Sequence, residues 1–161
     1  MIMYKVFIFV LLSSFAGFSW SAQSFEGTVT SVYDGDTFTL NNQVKVRLWG
    51  VDTAEKEQTC QYRGQVKQCG LEAAHYLNDM ILGDTVVCEK QGMSHGRPVV
   101  ICTKTDSKVS INEHMVASGW GIEWTKYSGG AFSRATRHAK SNNYGMWDYE
   151  FIKPWVWRRN H

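Results

Sequence analysis

From residue 25 onward, apolar and polar positions alternate over short stretches, each closed by a turn-forming residue. Alternation with a period of two marks half-buried strands. Residues 28–33 form such a run, which ends at Asp34-Gly35, a tight-turn dipeptide. Residues 37–40 continue it to a second turn at Asn41-Asn42. Residues 44–51 alternate next, with Val44, Val46, Leu48 and Gly50 on one face and Lys45, Arg47, Trp49 and Val51 on the other. Arg47 is thereby set opposite the apolar set, where its side chain reaches a cleft. Residues 71–82 change to helical spacing, with Leu71, Ala74, Leu77 and Ile81 on one face and Gly83 as the stop. Residues 85–89 and 99–103 read as strands again. Ser110 with Glu113 is a capping box for a short helix ending near Ser118-Gly119. A last helix is expected over residues 131–141, with Ala131, Ala135 and His138 or Ala139 inward. Five strands with helices between and after them give an α+β chain, and a five-stranded OB-fold Greek-key β-barrel suits that order.

The first residues follow a different pattern. Lys5 is the only charge among them, and V-F-I-F-V-L-L from Val6 leads into small and aromatic residues up to Ala22. This is the layout of a secretory signal peptide over residues 1–21, cleaved somewhere between 21 and 24. The apolar run is short for a membrane span, so an uncleaved anchor is the competing reading. One folded domain is then expected over residues 25–157, with residues 158–161 as a tail. Without the leader the chain carries 16 basic and 15 acidic residues. A nucleic-acid partner must therefore be attracted by a local patch and not by a basic body.

The cysteines fit export. Cys60, Cys69, Cys88 and Cys102 all lie in the mature part, and an even count in an exported chain points to two disulfides with three possible pairings. The favoured pairing is Cys60–Cys69, closing a polar loop, with Cys88–Cys102 facing across a hairpin. A zinc site is the alternative, for which the spacing is poor because no C-x-x-C pair exists.

Two clusters carry the chemistry: D-G-D-T from Asp34 and R-L-W-G-V-D-T-A-E from Arg47. Asp36 and Asp52 each close a strand-like run and precede a threonine. Carboxylates converging from adjacent strands, with a carbonyl and waters, make the oxygen shell that calcium prefers. Asp34 is explained by the turn alone. Glu55 lies three residues after Asp52 and can accept a proton from water or orient that water. Arg47 supplies a fork for phosphate, and Arg97, in S-H-G-R-P, is a second clamp presented from a hairpin.

In order, G-T-V-T-S-V-Y-D-G-D-T, V-R-L-W-G-V-D-T-A-E, C-G-L-E-A-A, H-G-R, A-S-G-W and Y-G-M-W resemble the blocks of the thermonuclease (staphylococcal-nuclease-like) family, from about residue 25 to 157. The terminal P-W-V-W-R-R is similar to the ending of many exported members. The resemblance implies an OB-fold barrel with three α-helices and calcium-dependent cleavage of DNA and RNA that leaves 3′-phosphates. Carried over by position, Asp36, Asp52 and the Thr53 carbonyl would bind Ca2+. Glu55 would contact the nucleophilic water, and Arg47 and Arg97 the scissile phosphate. Three departures bear on the site. Ala54 stands where the family has proline. Ser94 and His95 stand where the best-known member has a lysine and a tyrosine holding a terminal phosphate, which leaves His95 as a candidate phosphate contact. Tyr127 matches a tyrosine of the nucleotide pocket, while its usual companion is Thr125.

The leading expectation is thus an exported, monomeric, calcium-dependent endonuclease without sugar preference and without stable membrane association after signal cleavage. A non-catalytic OB-fold module that grips nucleic acid is the alternative, disfavoured because none of the five site residues is missing. A disulfide-stabilised barrel binding saccharide or protein leaves those five residues as coincidence. Trp120, Trp124 and Trp147 read as packing residues. Trp155 and Trp157, beside Arg158 and Arg159, read as a tail folded back onto the barrel.

Overall fold

The computed structural model describes residues 23–161, so the expected signal peptide lies outside the described residues. Strands β1 (Ser24–Val32), β2 (Thr37–Leu40) and β3 (Val44–Leu48) form an antiparallel meander. Short β4 (Val51–Thr53) follows, then a small hairpin of β5 (Cys60–Tyr62) and β6 (Gln65–Lys67), and helix α1 (Cys69–Ile81). The long hairpin β7 (Thr85–Ser94) and β8 (Arg97–Lys104) precedes α2 (Ile111–Ala117), β9 (Gly121–Glu123), α3 (Thr125–Ser128), α4 (Ser133–Ser141) and α5 (Pro154–Asn160). Five strands close a barrel in the order β1-β2-β3-β8-β7, with β3 and β8 parallel and the other pairs antiparallel. This is the OB-fold expected from the strand pattern.

The alternation in β3 holds from Lys45 onward, whereas Val44, expected on the apolar face, is exposed at the strand's start. Val46 and Leu48 point into the barrel and are buried, whereas Lys45 and Arg47 are partly exposed. The run stops at Leu48 and does not continue to Val51. Gly50 takes φ 68, and a Cβ there would meet the Ser128 Cβ at 2.9 Å. The chain turns at this point, and β4 leaves the barrel to pair with β9. Val51, expected beside Arg47 on the outer face, is buried as a result.

All three expected helices are present, and two short ones are added. The first is α3. The second, α5, begins with Pro154 at its first turn, where the missing N–H costs nothing. It runs through the expected boundary at 157, so Arg158 belongs to a packed helix. Both favoured disulfides form. Cys60–Cys69 ties the β5–β6 hairpin to the start of α1, and Cys88–Cys102 joins directly opposed positions of β7 and β8. The barrel core is built from Val29, Phe38, Leu40, Val46, Leu48 and Val100, with Leu77 and Ile81 of α1 and Met115 of α2 against it. A smaller cluster around Ala54, Ile122 and Met146 takes in Trp155 and Phe151 and anchors the C-terminal segment.

Candidate active site

Asp36 and Asp52 reach the same point by different routes. Asp36 follows the Asp34-Gly35 turn, where Asp34 Oδ1 accepts from the Asp36 amide at 3.0 Å and the Leu48 amide donates to the Asp36 carbonyl at 2.8 Å. A Cβ on Gly35 would meet the Thr53 side chain at 2.8–2.9 Å, so only glycine lets this turn lie against β4. Asp52 is the middle residue of β4 and is wholly buried, while Asp36 is 2% exposed. Thr53 is buried beside them.

Arg47 closes the pair. Its Nη2 lies 2.8 Å from Asp36 Oδ2 and 2.7 Å from Asp52 Oδ1. Thr37 Oγ1 donates to Asp36 Oδ1 at 2.8 Å. Burial pushes the Asp36 pKa well above the usual carboxylate range, with Arg47 opposing and Asp34 and Asp52 adding to the rise. Burial works against the charge on Arg47 too, but Asp36 and Asp52 outweigh it and strengthen its hold on the proton.

The raised Asp36 pKa has a consequence for stability. A carboxyl that holds its proton more tightly when folded stabilises the fold at low pH, and that stability is lost as pH rises from the unfolded value, about 3.9, through the folded one. Above the unfolded value the raised pKa therefore makes Asp36 a net cost to the fold. In chelator at pH 7, Asp36→Asn is expected to raise the melting temperature while removing activity. The gain should shrink as pH falls from the folded value toward about 4 and be gone below it. A melting temperature unchanged or lowered at pH 7 would contradict this.

Glu55 stands on the loop after β4, and its backbone is fixed from behind. Gln58, fully buried, accepts from the Glu55 amide at 3.2 Å and donates its own amide to the Glu55 carbonyl at 2.7 Å. The Gln58 carbonyl accepts from the Gly70 amide, and its Nε2 donates to the Ile152 carbonyl at 2.6 Å. One residue thus joins the Glu55 loop, the start of α1 and the approach to α5.

A cleft of about 540 Å³ opens over these groups and is lined by Arg47, Glu55, Arg97, His95, Tyr127 and Arg158, among others. Arg97 enters from the tip of the β7–β8 hairpin and has no ion-pair partner among the described residues. His95 is in the hairpin turn with φ 49, its Nδ1 3.1 Å from Ser94 Oγ. Tyr127, on α3, is 53% exposed and packs edge-on against Trp124. Asp36 and Asp52 lie buried beneath the cleft against Arg47, so the two carboxylates are brought to the cleft that Arg47, Glu55, His95, Arg97 and Tyr127 line.

Arg158 is not among the site residues expected from the sequence. Its Nη1 donates to Asp52 Oδ1 at 2.9 Å and to Glu55 Oε1, and its Nη2 donates to Asp52 Oδ2 at 2.9 Å. These bonds outweigh the burial that works against its charge and raise its pKa. The sequence places it in a tail folded back onto the barrel and assigns its side chain no role at the site. The available signal was Pro154, a helix-starting residue in an aromatic-rich stretch.

Other polar residues the sequence did not flag hold the frame. Glu123, 7% exposed, accepts from Ser128 Oγ at 2.6 Å and the Phe132 amide at 2.8 Å, tying β9 to the start of α4. Asn112 is fully buried and bonds the Cys102 amide and the Trp49 and Val100 carbonyls.

Comparison with known proteins agrees with this geometry. The family model described as staphylococcal nuclease homologue matches residues 45–149. Over 120 residues the chain is 33% identical to the succinoglycan biosynthesis protein ExoI of Rhizobium meliloti (strain 1021), covering 73% of this chain and 62% of that protein. Over 137 residues it is 28% identical to an uncharacterized endonuclease of Haemophilus influenzae (strain ATCC 51907 / DSM 11121 / KW20 / Rd), covering 81% and 71%. The match thus spans less than two thirds of ExoI. A family model covering well over half of the chain, on an OB-fold barrel, places this protein in the staphylococcal nuclease family.

Proposed function

We propose that the protein is an exported, calcium-dependent endonuclease that hydrolyses DNA and RNA without sugar preference and leaves 3′-phosphates. One observation carries the reading: a single guanidinium bridges two buried carboxylates beneath a cleft that also presents Glu55 and Arg97.

The donor set suits a hard cation. Asp36, Asp52 and the Thr53 carbonyl would hold it, all through oxygen. No group of three His, Cys, Asp or Glu side chains forms a metal cage among the described residues. Water and phosphate oxygens would have to complete such a site. When bound, the ion neutralises charge on the phosphate. Arg47 and Arg97 fork onto phosphate oxygens and stabilise the charge that builds as water adds to phosphorus. Glu55 orients that water and takes its proton. The bond from phosphorus to the 5′ oxygen breaks, the departing 5′ oxygen takes a proton from solvent to become the 5′-hydroxyl, and the 3′ side keeps the phosphate. His95 and Tyr127, at the cleft edge, contact the neighbouring phosphate and nucleoside.

Two disulfides among the described residues fit an oxidising compartment, periplasmic or extracellular. The mature protein is expected to act as a monomer without stable membrane attachment. The test is digestion of DNA and RNA with calcium or with chelator, followed by identification of the product ends. Cutting of both polymers only with calcium, leaving 3′-phosphates, is expected. Cutting that persists in chelator, or 5′-phosphate ends, would refute this reading of the chemistry.

A further inference from the structure

Asp52 and Glu55 belong to one short stretch of chain, whereas the guanidinium that joins them comes from the opposite end. Arg158 is 106 residues beyond Asp52 and 103 beyond Glu55. It takes both oxygens of Asp52 in a fork and bonds Glu55 through the same Nη1. Three hydrogen bonds leave two of its five N–H donors without a protein partner among the described residues. With its side chain 31% exposed, the group lies at the cleft surface.

The helix beneath it is held at several points. Trp155 stacks on Trp124 with centroids 5.7 Å apart and planes at 8°. The Arg158 guanidinium lies 5.5 Å from the centroid of the same Trp124 ring. Pro154 is buried, and the Ile152 carbonyl is bonded to Gln58, which also fixes the Glu55 backbone. Upstream, Glu150 pairs with Gln61 in an isolated bridge. The chain end is therefore registered against the loop whose carboxylate it touches.

A free Glu side chain has rotamer freedom worth about 1.5–2 kcal/mol. Glu55 is 28% exposed on its loop, and Arg158 is its ion-pair partner in the described chain. We propose that Arg158 is a positioning residue of the active site, which holds Glu55 and Asp52 in one fixed relation and makes the C-terminal helix part of the catalytic machinery. The proposal rests on the nuclease reading of the cleft. Arg158 acts through the two carboxylates, and a misplacement of about 1 Å at such a group costs on the order of 10²-fold in rate.

The test compares wild type, Arg158→Ala and Arg158→Lys on DNA in calcium, with methylguanidinium added back to the alanine variant. Glu55→Ala is run alongside. For Arg158→Ala we expect kcat to fall about 10²-fold with KM changed only a few-fold. Lysine should restore part of the rate, and methylguanidinium should restore part of it in a dose-dependent way, which a purely structural loss would not allow. In chelator, the melting-temperature shifts of Arg158→Ala and Glu55→Gln should sum to more than the shift of the double variant, because both singles break one contact. An unchanged kcat, or a kcat that rises because the helix was blocking the site, would overturn the proposal. Additive melting shifts would overturn it as well. If Glu55→Ala is inactive while Arg158→Ala cuts at full rate, only this inference fails. If wild type does not cut, the nuclease reading fails and this proposal falls with it.

Discussion

Arg47→Ala is expected to lower kcat/KM by about 10²–10³-fold, the usual cost of removing one preorganised donor from a developing charge. Its effect on the fold should be equally plain. Arg47 is the cation shared by Asp36 and Asp52, of which Asp52 is wholly buried and Asp36 nearly so. Breaking a buried ion pair from one side costs about 3–5 kcal/mol, because the other charge is left without compensation. Arg158 still covers Asp52, so the loss falls mainly on Asp36 and should lie toward the lower end of that range. The two effects separate experimentally. In the Arg47→Ala background, adding Asp36→Asn removes the stranded charge and should recover stability without recovering activity. Thermal denaturation and cleavage kinetics on the single and double variants check this. Full activity in Arg47→Ala would remove the phosphate-clamp role.

Gly70→Ala should be among the most damaging single methyls in the described domain. A Cβ at this position would lie 1.7 Å from the Glu55 carbonyl oxygen and 2.6 Å from its carbon. Both are backbone atoms, so no rotamer change relieves the clash. Retreat is restricted on each side. Cys69, the residue before, is tied to Cys60, and the Glu55 loop is held by Gln58. The variant is expected to lose several kcal/mol of stability, in the range reserved for backbone and packing failures. Where it folds, the displaced Glu55 should reduce kcat by about 10²-fold or more. Gly92→Ala, where the added methyl meets nothing within 4 Å, is the stability control. Denaturant unfolding of the two variants gives the comparison, and equal stabilities would contradict the packing described.

The sequence carried the site better than it carried the frame around it. Alternation alone placed Arg47 on the outer face of β3, because a period of two leaves no freedom once Val46 and Leu48 are buried. The turn dipeptide likewise explained Asp34 and left Asp36 over as a residue with another purpose. The break at Gly50 was hidden, since an alternating run reads the same whether or not its glycine takes positive φ. That break is what swings Asp52 back onto Arg47. Gln58, Asn112 and Glu123 were invisible for a simpler reason. A single polar residue looks like surface until its partners, from 3 to 94 positions away, are known. Arg158 belongs with them. Nothing local distinguishes it from Arg159, and it is the packing of the C-terminal helix, Trp155 on Trp124 among its contacts, that turns it toward the carboxylates.

The central claim, that this cleft cuts phosphodiester bonds with Glu55 at the attacking water, has one most direct test. It is single-turnover cleavage of a labelled single-stranded DNA by the mature protein and by Glu55→Ala, in calcium, at matched folded concentration. The account predicts cutting by the first and a rate at least about 10²-fold lower for the second. Equal rates for the two, or oligonucleotide bound by both and cut by neither, would contradict it.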